Sequence, residues 1–88
     1  MPKVVLTHGV VDIERWLQGK GERAAAITGF GSDVRDHVAA DGSNQVAVTA
    51  HVDDVAGLEA LLASPPPDIA AQMQDHGVIP PVVAYIER

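Results

Sequence analysis

The residues of this sequence best suited to chemistry are its histidines and the acidic residues beside them. The chain has four histidines and no cysteine, so it has no thiolate nucleophile and no cysteine ligand for zinc. His51 is followed closely by Asp53 and Asp54. An imidazole beside a carboxylate can act as a general base that the acid orients. We therefore predict His51 as a catalytic base and Asp53 as its acidic partner, with Asp54 as the alternative partner.

His8 is the second histidine predicted to be catalytic. We expect the first and third strands to lie side by side in the middle of a sheet and to run parallel, which would make the strand ends near His8 and His51 neighbours. The alternative is that strand-end histidines hydrogen-bond a loop or face water. His8 also shares its strand parity with Val4 and Leu6, which would place it under the helices instead.

Four further residues are predicted to contact a bound substrate. Thr49 alternates onto the same strand face as His51, and Tyr85 lies on the last strand, where it either lines a cavity or fills a subunit interface. The side chain of His37 either points into the same cavity or is solvated on an edge strand. Trp16 lies on a helical apolar stripe, where it is either a core residue or a lid over a ligand.

The remaining polar residues of interest lie on helices. His76 precedes Gly77 near a helix C-terminus, where an imidazole complements the helix dipole. Asp12 and Arg23 are interpreted as helix-surface groups, although an arginine there could also guard a cavity mouth and attract an anion. No two histidines have the short helical spacing of metal ligands, so no metal site is predicted.

These residues must be positioned by strands and helices that follow one another with little linker. Lys3 to Val10 reads as a strand, and the helix after it begins at Asp12 and is weakened by Gly19 and Gly21. Two β-like runs then flank a turn containing Asp41-Gly42, which tolerates the positive φ of a tight hairpin.

The second half of the chain predicts a divided helix and a last strand. A helix capped by Asp53 or Asp54 stops at Ser64-Pro65-Pro66-Pro67, and the same segment can open another helix. Pro80-Pro81 resets the chain before a strand from Val82 to Glu87. The order predicts one α+β domain over residues 1–88, a ferredoxin-like split βαβ with a four-stranded antiparallel sheet and its second helix broken in two.

Composition excludes several classes of partner. The 88 residues carry a net charge of −6 without a basic cluster, so neither nucleic acid nor an anionic membrane is predicted as a partner. No apolar run has the length of a membrane-spanning helix or of a signal sequence, which predicts a cytoplasmic protein. A core of this size is small, and a second subunit would add to it.

Several segments together carry a family resemblance. They are 11–16 (VDIERW), Arg23, the Asp-Gly-Ser-Asn hairpin, 52–54 (VDD), 62–65 (LASP), 76–82 (HGVIPPV) and 85–87 (YIE). In this order, spanning nearly the whole chain, they resemble the small dimeric α/β-barrel proteins grouped with the antibiotic biosynthesis monooxygenases and related cyclase-like proteins. The resemblance implies a homodimer whose two sheets face each other around a small apolar cavity, usually without metal or bound cofactor.

The resemblance leaves two functions open. The group includes cofactor-free oxygenases, isomerases and decarboxylases, and it supplies no catalytic motif that transfers to this chain residue by residue. One hypothesis is therefore an enzyme or binding protein for a small apolar or aromatic molecule. The other is a dimeric ligand-binding, accessory or structural module without catalysis.

Overall fold

The fold is described by a computed structural model that covers residues 2–88. Its elements are β1 (Lys3–Val10), α1 (Ile13–Gln18), α2 (Lys20–Thr28), β2 (Gly31–Val38), β3 (Gln45–Val52), α3 (Val55–Ala63), α4 (Pro67–Asp75) and β4 (Val78–Ile86). This order confirms the predicted ferredoxin-like class, including the divided second helix. Within the described residues, no helix is long and apolar enough to cross a membrane.

The four strands form one antiparallel sheet in the order β2-β3-β1-β4. The expectation that the two central strands run parallel is wrong, because Lys3 lies opposite His51 and His8 lies opposite Val46. The reason is the connectivity. A helical crossover makes β1 and β2 parallel, and β3 turns back from β2 through a hairpin and lies between them, so it runs opposite to both.

One face of the sheet, here called the covered face, packs against the helices. The buried core on this side comprises Val4, Leu6, Val10, Val46, Val48, Ala50 and Val52 from the strands and Trp16, Ile27 and Leu58 from the helices. The predicted alternation along β3 is therefore confirmed. The opposite surface, here called the open face, has no covering layer within residues 2–88, and Tyr85 on it is 58% exposed.

The first helical region begins at a side-chain cap on Asp12 and is interrupted at Gly19. The Asp12 side chain accepts a hydrogen bond from the Glu14 backbone N–H at 3.0 Å, which satisfies one of the unpaired donors of the first turn. The helix ends at Gly19, and α2 begins directly afterwards. The glycine-weakened helix predicted from the sequence is thus two helices.

The second helical region also begins at an aspartate cap and is also interrupted. The Asp54 carboxylate accepts from the Gly57 N–H at 2.9 Å, so Asp54 rather than Asp53 caps α3. After the break at Ser64, Pro67 occupies the first position of α4, where its missing N–H costs nothing. The proline segment therefore ends one helix and starts the next, as predicted.

The turn between β2 and β3 agrees with the prediction, whereas the start of the last strand differs from it. Gly42 has a φ of 80°, as expected for the turn between β2 and β3. The last strand, however, begins at Val78 rather than at Val82, and Pro80-Pro81 lie inside it. Proline is tolerated there because β4 is an edge strand, and the pairing with β1 shifts register between Thr7 and Gly9.

Candidate functional site

An apolar cavity lies between the helices and the covered face of the sheet. Its volume is about 80 Å³, and it is partly open to solvent. Val48, Val82 and Leu58 are among the aliphatic residues on its wall, and the polar side chains that line it are His8, Arg23, Gln72 and His76. An apolar pocket with a few convergent polar groups is typical of a small-molecule site. We call it the helix–sheet cavity.

Arg23 is the centre of the polar groups on this wall. Its guanidinium binds the Asp36 carboxylate through two bonds, Nε to Oδ1 at 3.2 Å and Nη2 to Oδ2 at 3.1 Å. Both side chains are at least nine-tenths buried. Nη2 also donates to the Trp16 carbonyl at 3.0 Å, and Nη1 donates to His76 Nδ1 at 3.2 Å. Four contacts therefore fix the guanidinium in one position.

Trp16 forms the platform under Arg23. The Arg23 Cζ lies 4.0 Å from the centroid of the indole, a cation–π contact made without water because Trp16 is fully buried. The same indole meets the His8 ring in a T-shaped arrangement, with 6.0 Å between the centroids. Trp16 is thus a core residue, in agreement with one of its two interpretations, and it contacts two of the polar residues of the cavity, Arg23 and His8.

His8 is neutral and has a defined tautomer. Its Nδ1 lies 2.9 Å from the Gly9 carbonyl oxygen, which can only accept, so Nδ1 carries the proton and Nε2 carries the lone pair. Burial lowers the pKa of His8 from its usual 6.5, and the nearby Arg23 charge adds to the lowering despite the opposing bond to Gly9. At neutral pH His8 is therefore an unprotonated base on the cavity wall.

His76 ends α4 as predicted, but its side chain has a different partner from the one expected. The ring is buried and accepts from Arg23 at Nδ1, so its proton lies on Nε2, which is 3.5 Å from Glu22 Oε1. The ring also fills the space beside Gly19, where any Cβ would overlap it. His76 is therefore part of the Arg23 cluster, and Arg23 itself is a buried residue of the cavity rather than a helix-surface group.

The structure does not bring His8 and His51 together. Since β1 and β3 are antiparallel, the two residues lie at opposite ends of the central strands, and their side chains lie on opposite faces of the sheet. The carboxylate near His51 is that of Asp33, whose Oδ2 is 3.8 Å from Nε2. Asp53 is exposed at the end of β3. The catalytic assignment of His51 and Asp53 stays a prediction, but their expected neighbour His8 is elsewhere.

The three predicted substrate contacts of the strands lie on the open face. His37 Nε2 is 3.0 Å from the Thr49 hydroxyl, so these two side chains form a polar pair. Tyr85 lies in the same cross-strand row as Thr49, with Val5 between them. Each of the three described pockets contains at most one of the four residues His8, His37, His51 and Tyr85. The open face of one chain therefore offers no enclosed site built from them.

Sequence reasoning missed the Arg23 cluster, although the sequence carries a signal for it. Arg23 lies seven residues after Trp16 and four before Ile27, so it shares their helical stripe. A charged residue inside an apolar stripe is buried and paired when the helix packs on a sheet. Asp36, its partner, comes from the next strand, and only the fold could identify it.

The fold and this site define a ferredoxin-like α+β protein with a buried ionic cluster beside an apolar cavity. Among solved structures, the chain is similar to one described as a putative antibiotic biosynthesis monooxygenase from Deinococcus radiodurans. The match has a TM-score of 0.58 and covers 97% of this chain and 90% of the other, at 14% sequence identity. No protein-family model and no curated protein matches the sequence. The similarity establishes the shared fold, in agreement with the resemblance read from the sequence.

Proposed function

We propose that this protein binds a small, ring-containing apolar molecule in the helix–sheet cavity and removes a proton from it without a cofactor. The observation that carries the proposal is His8, a neutral base of fixed tautomer on the wall of an apolar cavity. A general base must be unprotonated at the working pH, and the lowered pKa of His8 meets that condition.

The first chemical step is a proton transfer to His8. The Nε2 lone pair takes a hydrogen from a carbon next to a carbonyl group, or from a phenolic oxygen, and the electron pair of that bond moves onto oxygen. The second proton stays on Nδ1, which donates to the Gly9 carbonyl throughout. His8 becomes an imidazolium ion for the lifetime of the intermediate.

Arg23 stabilises the negative charge that this step creates. Its guanidinium lines the same cavity and is held by Asp36, Trp16 and His76 before any ligand binds. A donor fixed in advance in a site of low polarity stabilises an oxyanion without the cost of reorganisation. The proton then returns to another position of the molecule, which gives an isomerase.

Monooxygenase chemistry is the onward step suggested by the description of the structural neighbour. A carbanion formed at an activated methylene group can react with dioxygen as co-substrate. The balanced reaction is CH2 + O2 → C=O + H2O, in which two C–H bonds break, one oxygen atom stays on carbon and the other leaves as water. Uptake of dioxygen in step with product formation distinguishes this outcome from isomerisation.

We also propose that the working form is a homodimer that buries the open face. Val83 and Tyr85 are exposed there, and exposed apolar side chains on an uncovered sheet are stabilised when a second copy of the chain buries them. In such a dimer His37, Thr49, His51 and Tyr85 would lie at or near the seam.

A second candidate function is ligand binding without catalysis. It is favoured by the finding that no described pocket gathers two of the residues His8, His37, His51 and Tyr85. A non-catalytic module needs only the cavity. The two functions differ in what happens when the imidazole of His8 is removed.

The test uses cyclohexanone, a neutral ring ketone with exchangeable hydrogens next to its carbonyl. Protein in D2O should accelerate the exchange of these hydrogens for deuterium, measured by NMR above the buffer background. His8→Gln should keep cyclohexanone binding and lower the exchange rate by about 100-fold, a loss typical for a general base. Binding with no acceleration by the wild-type protein would favour the non-catalytic module.

The competing prediction from the sequence is tested in the same assay. If His51 is the base, His51→Gln should abolish the exchange while His8→Gln retains it. That pair of results would contradict the proposed role of His8 and move the site to the open face.

A further inference from the structure

The charges buried at the helix–sheet cavity balance to zero. Arg23 contributes one positive charge, and Asp36, bound to it through two hydrogen bonds, contributes one negative charge. His76 accepts from Arg23 at Nδ1, and His8 donates from one ring nitrogen only. The remaining wall is aliphatic except for the amide of Gln72. A charged ligand would therefore enter a site that has no spare charge of the opposite sign.

The hydrogen-bond donors of Arg23 are also nearly all in use. A guanidinium has five N–H groups. Nε–H binds Asp36, the two hydrogens of Nη2 bind Asp36 and the Trp16 carbonyl, and one hydrogen of Nη1 binds His76. These contacts use four of the five N–H groups, so within residues 2–88 a single Nη1 hydrogen has no acceptor. A carboxylate or phosphate, by contrast, is recognised by arginine through two parallel donors.

We propose that the cavity selects an uncharged molecule that presents one oxygen atom to Arg23, a phenol or a ring ketone, and that it rejects carboxylates of the same size. This inference rests on the proposed function, since it names the ligand class of the same cavity. One uncharged oxygen matches the single remaining donor, and the ring matches the aliphatic wall.

The volume of the cavity sets the size of the group that enters. An engineered apolar cavity of about 150 Å³ takes up benzene. The helix–sheet cavity, at about 80 Å³, is smaller, but it is partly open, so one ring can enter while its far edge remains at the mouth. A carboxylate on that ring would lose its hydration beside Arg23, whose charge Asp36 already balances, without gaining a partner of its own.

The test compares phenol with benzoate, two single-ring molecules that differ in charge. Binding is followed by titration of the NMR signals of cavity methyl groups. Wild-type protein should bind phenol at least about tenfold more tightly than benzoate. Asp36→Asn leaves the charge of Arg23 unpaired, and this variant should bind benzoate at least about tenfold more tightly than the wild-type protein does. The matched control Asp33→Asn removes an exposed carboxylate of β2 and should change neither affinity.

A second measurement needs no variant and so does not depend on the folding of Asp36→Asn. The phenol 4-nitrophenol ionises near neutral pH, whereas phenol ionises near pH 10, as tyrosine does. Binding of 4-nitrophenol should weaken as the pH rises from about 6 to 8, while binding of phenol should stay constant.

Each result decides for or against the inference. Equal binding of benzoate and phenol in the cavity, or binding of 4-nitrophenol that does not change with pH, overturns the ligand class and leaves the proposed function in place. Absence of binding by phenol, benzoate and cyclohexanone alike overturns both.

Discussion

Arg23 is the residue on which the candidate site depends most. A buried guanidinium without partners would cost several kcal/mol, and the bidentate bond to Asp36 and the contact with Trp16 offset that cost. The result is a donor fixed beside an apolar cavity. The same packing places His8 against Trp16, and burial lowers the pKa of His8, so one cluster positions both the proposed base and the guanidinium proposed to stabilise the anion.

The lowered pKa of His8 predicts how stability depends on pH. Between the lowered pKa of His8 in the folded protein and pH 6.5, His8 is protonated in the unfolded chain but neutral in the folded protein. The unfolded state therefore binds more protons in that range. The free energy of unfolding should therefore be highest above about pH 6.5 and fall as the pH drops through the lowered pKa. Urea titrations between about pH 5 and 7.5 measure this slope. In His8→Gln the slope should be smaller, and an unchanged slope would show that His8 titrates normally in the fold.

The packing of His76 against Gly19 predicts a steric effect that a matched glycine can control. Gly19→Ala would put a Cβ into the His76 ring, and we expect a loss of about 1–3 kcal/mol of stability, typical of overpacking. Gly21 lies in α2, and an added methyl group would meet no atom within 4 Å outside its chain neighbours and the backbone of its own helix, so Gly21→Ala should stabilise the protein by up to about 1 kcal/mol. Urea midpoints of the two variants that shift in the same direction would contradict the assigned position of His76.

Element boundaries could be predicted from the sequence because short-range chemistry sets them. Asp12, the proline segment and Gly42 act on the backbone within a few residues of themselves, and the structure confirms all three. The direction of β3 relative to β1 was predicted wrongly, because strand direction follows from the connectivity of the whole sheet rather than from local residues. The expectation that His8 is a neighbour of His51 is wrong for the same reason.

Contacts between helices distant in sequence hold the helical layer together. Arg15 of α1 donates to two carbonyl groups at the end of α4, from Nε to Asp75 at 2.6 Å and from Nη2 to Gln74 at 2.9 Å. The Gln74 carbonyl also accepts the Gly77 N–H at 3.0 Å, so Arg15 adds a donor from another helix to the C-terminal end of α4.

Removal of this cap should destabilise the protein measurably. Arg15→Met keeps the aliphatic stem and loses both bonds, with an expected cost of about 1 kcal/mol in the free energy of unfolding. The control Arg35→Met breaks an exposed ion pair with Asp33 and should cost less than about 0.5 kcal/mol. Equal losses in chemical denaturation would mean that the link between α1 and α4 does not contribute to stability.

At the scale of the whole molecule, the sheet separates a face covered by helices from an open face. The sequence predicted the covered and open faces of β3 correctly, since strand alternation is a local pattern. It assigned the site to the open face because His37 and His51 alternate onto that side. The cavity could not be predicted, since its walls come from both layers and Arg23 meets Asp36 only after the chain has folded.

The exposed apolar residues of the open face predict the oligomeric state. Light scattering should report twice the 9.2 kDa mass of the chain at a concentration of about 100 μM. Tyr85→Lys should shift the protein toward the monomer without unfolding it, because Tyr85 is largely exposed in one chain. Val11→Lys introduces the same charge at an exposed residue outside the sheet and should leave the dimer intact. A wild-type protein that stays monomeric would remove the role given to the open face.

The helix–sheet cavity is the proposed working site, and NMR mapping of a bound ring ketone shows whether a ligand occupies it. Cyclohexanone is titrated into protein labelled at its methyl groups. The signals of Val48, Leu58 and Met73, which line the cavity, should shift together with one affinity. The signals of Val5 and Val83 on the open face should stay in place. Saturable shifts confined to Val5 and Val83 would contradict the account and place the site on the open face.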